Sequence, residues 1–214
     1  MIEIKNLTRK FHADFDALHD LTYEFNESPS VIIGSDMSGK TTLLNIIAGL
    51  DSGYSGEVFI DGIERKEIDN KNAGISYIMA EPVLFEQKSV YDNLLYVFKV
   101  DCKKYDKEVA NQKIKEVAEY LEIFGILEKR IKKCNLFEKR LVCLGRAMLK
   151  NAKMILFDEP FSKLLPFEFA TLWQTTLSVM NKLSCGVVVA ENTANMPYFK
   201  DVNILKLDFG VKID

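Results

Sequence analysis

The chain has 214 residues, of which 48% are hydrophobic and 28% charged, and its formal net charge is −3. This composition fits one globular domain, or one domain with a modest subdomain, and the slight acidity argues against a general nucleic-acid binder. The longest apolar runs are too short to cross a bilayer, the opening segment MIEIKNLTRKF lacks a targeting pattern, and the four cysteines show no paired spacing. We therefore expect a reduced, cytosolic protein.

The first 80 residues predict a series of strands, because short apolar or alternating runs are followed by turn residues. These runs cover residues 2–7, 21–25, 30–34 (SVIIG), 55–60 (SGEVFI) and 74–80 (GISYIMA). A turn around Asp14–Asp16 is expected to join the first two strands, which would form an antiparallel edge. A helix from Lys40 to Ala48 is expected after the third strand.

The rest of the sequence predicts helices and further buried strands. From Val90 to about Leu149 the apolar residues recur at helical spacing. The runs KMILFDEP and GVVVAEN read as strands on either side of a helix at about Pro166–Leu183, and VNILKLDFGVKID predicts a hairpin. Strands that alternate with helices, and that are almost continuously apolar, indicate an α/β fold with a mostly parallel sheet. The helical block would be an insertion into that sheet.

The segment GSDMSGKT, Gly34–Thr41, fits the pattern G-x-x-x-x-G-K-[ST] between a predicted strand and a predicted helix. Backbone N–H groups at such a helix start attract phosphate, because the helix dipole favours negative charge there. Lys40 would reach the β- and γ-phosphates of a nucleotide. A chance glycine turn is the alternative, and the flanking elements disfavour it. The expected nucleotide-binding residues in this segment are Gly34, Ser35, Ser38, Gly39, Lys40, Thr41 and Thr42.

The run MILFDEP places two acidic residues at the carboxyl end of a buried strand, which is where open α/β sheets bind ligands. We expect Asp158 to hold Mg²⁺ through water, together with the hydroxyl of Thr41. Glu159 is the expected catalytic residue, since its carboxylate would polarise an attacking water. Two solvated acids at a strand end are the alternative, which the nearby phosphate loop makes the weaker interpretation. ATP and Mg²⁺ are the expected cofactors.

In order along the chain, these motifs resemble the ATP-binding cassette (ABC) family, specifically the nucleotide-binding subunit of a transporter. MIEIKNLTRKF is similar to the family's opening strand, with Phe11 at the position of the aromatic residue that stacks on adenine. LLNIIAGLDSGYSGEVFIDG resembles the stretch after the phosphate loop, and ISYIMAEPVLFEQKSVYDNL resembles the segment that touches the membrane partner. DEPFSKLLP resembles the Walker B motif and the following loop. The resemblance extends over essentially the whole chain.

The resemblance implies a P-loop NTPase core of mostly parallel sheet, with an N-terminal antiparallel β edge and a helical insertion subdomain. Within a single ABC ATP-binding domain spanning 1–214, the RecA-like core with its β subdomain would comprise 1–89 and 150–214. The helical subdomain would comprise about 90–149. The resemblance also implies partners: ATP or ADP, integral membrane transporter subunits, and a second ATP-binding subunit in a homodimer or heterodimer. The expected location is the inner face of the cell membrane.

The sequence departs from the family's pattern at several positions. Ala80 occupies the position of a glutamine in the family, and Leu165 occupies the position of an aspartate. Glu191 occupies the position of a histidine that senses the γ-phosphate. Met37 stands where the phosphate loop nearly always has glycine. The signature, usually Leu-Ser-Gly-Gly-Gln, aligns with Cys134, Asn135, Leu136, Phe137 and Glu138.

These departures are expected to weaken hydrolysis. Leu136 and Phe137 are bulky where glycine allows close approach to the partner's nucleotide. Ala80 removes a metal and water contact, and the charge of Glu191 would repel the γ-phosphate. Loss of one transition-state donor costs about 10²–10³ in rate. Three functions stay open: a subunit that binds Mg-ATP and hydrolyses it weakly or slowly, a competent ATPase once paired with an intact partner, and a non-catalytic regulatory or scaffold module.

Overall fold

The computed structural model describes residues 1–12, 15–25, 29–101, 105–200 and 202–213. Contacts between residues divide the chain into two compact units. The first unit comprises Met1–Ala80, Met154–Ser162 and Gly186–Asp214, and the second comprises Glu81–Lys153 and Lys163–Cys185. The predicted helical segment, 90–149, lies inside the second unit.

The described residues form strands and helices in the following chain order. The strands are β1 (Ile2–His12), β2 (Phe15–Phe25), β3 (Ser30–Gly34), β4 (Ser55–Ile60), β5 (Ile63–Glu64), β6 (Ile75–Ile78), β7 (Met154–Asp158), β8 (Gly186–Asn192), β9 (Asn203–Asp208) and β10 (Val211–Ile213). The longer helices are α1 (Lys40–Ala48), α2 (Val90–Asp101), α3 (Lys107–Tyr120), α4 (Leu136–Leu149) and α5 (Pro166–Leu183).

One sheet of the first unit is antiparallel, with the strand order β2-β1-β4-β5. The first two strands are longer than the sequence predicts, since Ile2 opposes Phe25 at one end and Lys10 opposes Asp16 towards the other. Phe15 and Asp16 therefore belong to β2 and not to the predicted turn, because they continue the pairing with β1. Asp14 lies outside the described residues. The predicted antiparallel edge is confirmed.

The other sheet of the first unit has the order β10-β9-β3-β8-β7-β6. Its neighbouring strands are parallel except for the hairpin of β9 and β10. All five residues of β3 and all five of β7 are buried, as expected of strands covered on both faces. The prediction of a mostly parallel α/β sheet is confirmed.

The order of strands in this sheet brings the predicted phosphate-binding loop and the predicted acidic segment to one edge. Strands β3 and β7 lie on either side of β8 and run parallel to it, so Gly34 lies opposite Asn192 and Asp158 lies opposite Ala190. Helix α1 starts directly after the loop that follows β3, and it contacts β3, β7 and β8. The loop after β3 and the acidic residues of β7 therefore meet at the carboxyl edge of the sheet.

The second unit is built from α2, α3, α4 and α5, which pack on one another. Asp106 begins α3, because its side chain accepts hydrogen bonds from the backbone N–H groups of Glu108 and Val109. Gly145 lets α4 approach a neighbour closely, since a Cβ there would lie 2.9 Å from Leu94 Cδ2. Among the described residues, no helix is both long and apolar enough to cross a membrane.

Candidate nucleotide-binding site

The loop between β3 and α1 has a backbone that requires glycine at one position. Gly39 has φ +97°, and a Cβ there would collide with the carbonyl oxygen of Ala17. Met37 has φ +65°, in the left-handed region that favours glycine, although it carries a long side chain that is 73% exposed. The loop therefore has two residues in the left-handed region, and only one of them is glycine.

Lys40 is almost fully buried at the start of α1. Its Nζ donates hydrogen bonds to the carbonyl oxygens of Gly34, at 2.9 Å, and Ser35, at 2.8 Å. It also lies 3.6 Å from Oε1 of Glu159. None of the described residues in the first turn of α1 is acidic, so no carboxylate within that turn offsets the positive end of the helix dipole. The dipole and the Lys40 ammonium therefore both place positive charge at the start of α1. This combination attracts an anion.

Thr41 and Asp158 are brought together from distant parts of the chain. The Thr41 hydroxyl donates to the Asp158 carboxylate at 2.9 Å, and the Tyr77 hydroxyl lies 3.3 Å from the same oxygen. Burial raises the pKa of Asp158, the Thr41 hydrogen bond lowers it, and the nearby charge of Glu159 raises it. Tyr77 is absent from the sequence prediction, because its position depends on β6 lying beside β7.

This pair fits a magnesium site. Mg²⁺ prefers oxygen ligands, and it is usually held by one or two carboxylates together with substrate phosphates and waters. Asp158 and Thr41 supply a carboxylate and a hydroxyl at the edge of the phosphate loop. Groups of three or more His, Cys, Asp or Glu that would form an all-protein metal cage are not found among the described residues. The Asp158 carboxylate and the Thr41 hydroxyl could therefore serve as two of the oxygen ligands of Mg²⁺.

Glu159 follows directly after Asp158 in an unusual backbone conformation. Its φ is +45°, which is uncommon for a residue other than glycine and often marks a functional site. Its backbone N–H donates to the carbonyl oxygen of Ala190 at 2.8 Å. The side chain is half-buried and faces the cavity described next.

A cavity of about 320 Å³ lies over the phosphate loop, within the size range of small-ligand sites. Its lining residues are Phe11, Ala17, Asp36, Met37, Ser38, Gly39, Lys40, Thr41, Thr42 and Glu159. Phe11 is 48% exposed, and the Arg9 guanidinium lies 4.2 Å from the centre of its ring. The cavity therefore joins an aromatic wall to the phosphate loop and to Glu159.

Most of the residues predicted for nucleotide binding line this cavity. Gly34 and Ser35 lie beneath it instead, where their carbonyl oxygens hold Lys40. The sequence prediction missed Asp36, Ala17 and Tyr77. Asp36 belongs to the loop motif itself, at a position that the motif leaves open.

Glu191 is buried in the protein, whereas the sequence predicts that its charge faces the γ-phosphate. It is 0% exposed, and its carboxylate accepts hydrogen bonds from the backbone N–H groups of Phe161 and Asn192, both at 3.0 Å. Burial raises its pKa, and these two hydrogen bonds lower it. The described lining of the cavity includes Glu159 and not Glu191. Ala80, which follows β6, is half-buried.

In the second unit, the segment aligned with the signature forms the start of α4. Asn135 precedes the helix, and its side chain accepts from the Glu138 N–H at 2.8 Å while Glu138 accepts from the Asn135 N–H at 2.9 Å. Lys129 Nζ lies 2.7 Å from the same Glu138 carboxylate. Leu136 and Phe137 occupy the first turn of the helix. A carboxylate of the chain itself therefore caps the positive end of α4.

Leu165, the residue aligned with the family's aspartate, immediately precedes α5 in the second unit. Its backbone N–H donates to the Glu168 carboxylate at 2.9 Å, and its side chain is 57% exposed. The position therefore offers an apolar side chain where the family's pattern has a carboxylate.

The chain is similar to known proteins in both sequence and structure. The sequence model of the ABC transporter family matches residues 18–162. A molybdate/tungstate import ATP-binding protein of Methanocaldococcus jannaschii is 32% identical over 162 residues, which are 76% of this chain and 53% of the relative. An sn-glycerol-3-phosphate import ATP-binding protein of Bordetella avium is 28% identical over 164 residues, 76% of this chain and 45% of the relative. The chain thus spans about half the length of these relatives.

Solved structures share the fold at low sequence identity. The dimeric structure of a bacterial ABC transporter cassette has a TM-score of 0.85 at 22% identity, and the match covers 100% of this chain and 97% of that one. A dimeric post-hydrolysis state of an ATP-binding cassette bound to ADP and Pi has a TM-score of 0.83 at 23% identity, with the same coverage.

Proposed function

This chain belongs to the ABC transporter family, and from that premise we propose that it is an ATP-binding subunit that binds Mg-ATP and hydrolyses it weakly or slowly. One observation carries the proposal. The Thr41 hydroxyl lies 2.9 Å from the Asp158 carboxylate, beside a buried Lys40. Phosphate-binding and metal-binding groups therefore meet at one edge of the sheet, as nucleotide chemistry requires.

In this proposal, different residues of the chain bind different parts of Mg-ATP. The loop N–H groups and Lys40 hold the phosphates, and Phe11 offers its ring to the base. Asp158 and Thr41 would hold Mg²⁺, which would supply positive charge against the charge that develops on the phosphates. Glu159 would accept a proton from the attacking water, since its carboxylate lines the cavity over the phosphate loop.

Three features support slow hydrolysis. Ala80 has no group with which to contact a metal or a water, and the Glu191 oxygens already accept hydrogen bonds from the protein backbone. Helix α4 begins with Leu136 and Phe137 and is capped by Glu138, so it offers a partner's nucleotide an apolar and acidic surface. Each lost transition-state donor costs about 10²–10³ in rate.

The relatives' names support the partners in this proposal. Both relatives described above are import ATP-binding proteins. By analogy, this chain pairs with a second ATP-binding subunit, in a homodimer or heterodimer, and couples to separate integral membrane subunits. It would then work in the cytoplasm, on the inner face of the cell membrane.

A second candidate function is a competent ATPase that needs an intact partner subunit. The observation that favours it is the survival of Lys40, Thr41, Asp158 and Glu159 in one constellation. Phosphate release, measured for the chain alone and with a co-encoded partner, separates the candidates. Slow release in both cases supports the first proposal, and rapid release only with the partner supports the second. Tight binding with no release in either case would leave a non-catalytic nucleotide-binding module.

A further inference from the structure

Glu191 is a buried charged residue whose role differs from that of the histidine it replaces. It is 0% exposed and follows a run of buried apolar residues, Val187–Ala190, in β8. A carboxylate in such surroundings is costly unless hydrogen-bond donors surround it. The identity of those donors therefore indicates what the residue does.

Its donors connect two segments of the first unit. Asn192 donates from the same strand, and the Asn195 side chain also hydrogen-bonds to the carboxylate from the short helix that follows. Phe161, in contrast, lies 30 residues earlier, and its backbone N–H donates to Oε2 at 3.0 Å. Glu191 therefore joins the end of β8 to the turn after β7.

The same turn is attached to β8 at a second point. The Glu159 N–H donates to the Ala190 carbonyl oxygen at 2.8 Å. Pro160 has no N–H, so both backbone donors of residues 159–161 bind consecutive residues of β8. The turn is thus fixed on both sides of the proline, once by the strand's backbone and once by the Glu191 side chain.

This attachment matters because Glu159 is in a left-handed conformation, with φ +45°. Such conformations persist only where the surrounding structure holds them. We propose that Glu191 is a positioning residue: its carboxylate anchors the Phe161 amide and thereby holds the Glu159 side chain at the phosphate loop. The inference rests on the proposed function, because Glu159 needs a fixed position only if it acts on ATP.

Hydrogen exchange tests the anchor without any turnover. The variants are Glu191→Ala, which removes the acceptor, Glu191→Gln, which keeps one, and Val188→Ala, a control truncation in the core of the same strand. In Glu191→Ala we expect amide exchange of residues 159–162 to rise about tenfold relative to β3. In Glu191→Gln and in Val188→Ala, the exchange rates of these amides relative to β3 should stay within about twofold of those in the original protein.

Kinetics test whether the anchor acts through Glu159. With Mg-ATP, Glu191→Ala should lower the kcat for phosphate release about tenfold with little change in KM, because Lys40 and the loop still bind the nucleotide. In a Glu159→Gln background the same substitution should have no further effect on kcat, since two residues that act as a unit are non-additive.

The outcomes separate the anchor from the proposed hydrolysis. If the amides of residues 159–162 exchange equally fast in Glu191→Ala and in Val188→Ala, the anchor is disproved, whatever the values of kcat. If the kcat effect persists in the Glu159→Gln background, Glu191 does not act through Glu159 and the inference is overturned. If the original protein releases no phosphate, slow hydrolysis is wrong, and the exchange experiment still decides whether the anchor exists.

Discussion

Thr41 and Asp158 lie 117 residues apart in the chain, yet the Thr41 hydroxyl donates to the Asp158 carboxylate at 2.9 Å. The contact exists because β3 and β7 run parallel on either side of β8 and end at the same edge of the sheet. It brings the start of α1 against a buried acid. A carboxylate and a hydroxyl so placed could hold a metal beside a bound phosphate.

Removal of the Thr41 hydroxyl should weaken binding only where magnesium takes part. In Thr41→Val, Asp158 loses its shortest hydrogen bond and the metal loses a ligand. We expect ATP affinity to fall about tenfold in Mg²⁺ and to change little in EDTA. Thr175→Val is the matched control, since its hydroxyl donates to the Thr171 carbonyl oxygen on α5. An equal loss of affinity with and without Mg²⁺ would contradict the assigned role.

Stability without nucleotide should depend on the charge of Asp158. Burial raises the pKa of this carboxyl, so the folded chain keeps the proton to higher pH than the unfolded chain does. Stability from this group is therefore present at pH values below the ordinary aspartate pKa, about 3.9, and lost as pH rises through the raised value. Asp158→Asn should raise Tm at pH 7 and have a smaller effect near pH 4. A lower Tm at pH 7 would show that the charge stabilises the fold.

The phosphate loop should tolerate glycine at Met37 but no side chain at Gly39. The left-handed conformation costs a residue with a Cβ about 1 kcal/mol, and glycine costs a similar amount of entropy on folding. Met37→Gly should therefore change the free energy of unfolding by less than about 1 kcal/mol. Gly39→Ala should destabilise by more than about 2 kcal/mol, since its Cβ meets the Ala17 carbonyl oxygen. Urea denaturation measures both, and equal effects would refute the assignment.

The chain should distinguish ATP from ADP only weakly. A residue that recognises the γ-phosphate must donate to it, and the Glu191 carboxylate instead accepts from the Phe161 and Asn192 backbone. Titration of both nucleotides should give Kd values within about tenfold of each other, because loop and lysine contacts serve both. The same titrations of Glu191→His provide the comparison. A much larger preference for ATP that survives this substitution would show that discrimination lies elsewhere.

The fold could be predicted, and the candidate phosphate-binding residues could be proposed, because their signals are local. The buried run before Gly34, the glycine-lysine motif and the acidic end of β7 each lie within a few consecutive residues. Helices α1 and α5 were predicted from their places in the chain, one after the phosphate-loop motif and the other between two buried strands. The start of α4 was not predicted, although Asn135 and Glu138 have the spacing of a capping box.

The contact of Tyr77 with Asp158 and the contacts of Glu191 could not be predicted, because they depend on which strands are neighbours. Tyr77 reaches Asp158 only because β6 pairs with β7 in a specific register. The charge of Glu191 suggested repulsion of a phosphate. The fold instead directs its carboxylate to the Phe161 amide, a contact between segments 30 residues apart for which the sequence has no short-range signal.

Steady-state phosphate release with Mg-ATP, measured beside Glu159→Gln and an ATP titration, tests the proposed function most directly. We expect saturable binding, together with release that is at least about 100-fold slower than a typical kcat of about 10 s⁻¹. Lys40→Met should abolish the binding, because it removes the buried cation of the loop. Rapid release that depends on Glu159 would mean that Ala80, Glu191 and the altered start of α4 are compatible with catalysis, and it would contradict the proposal of a weak ATPase.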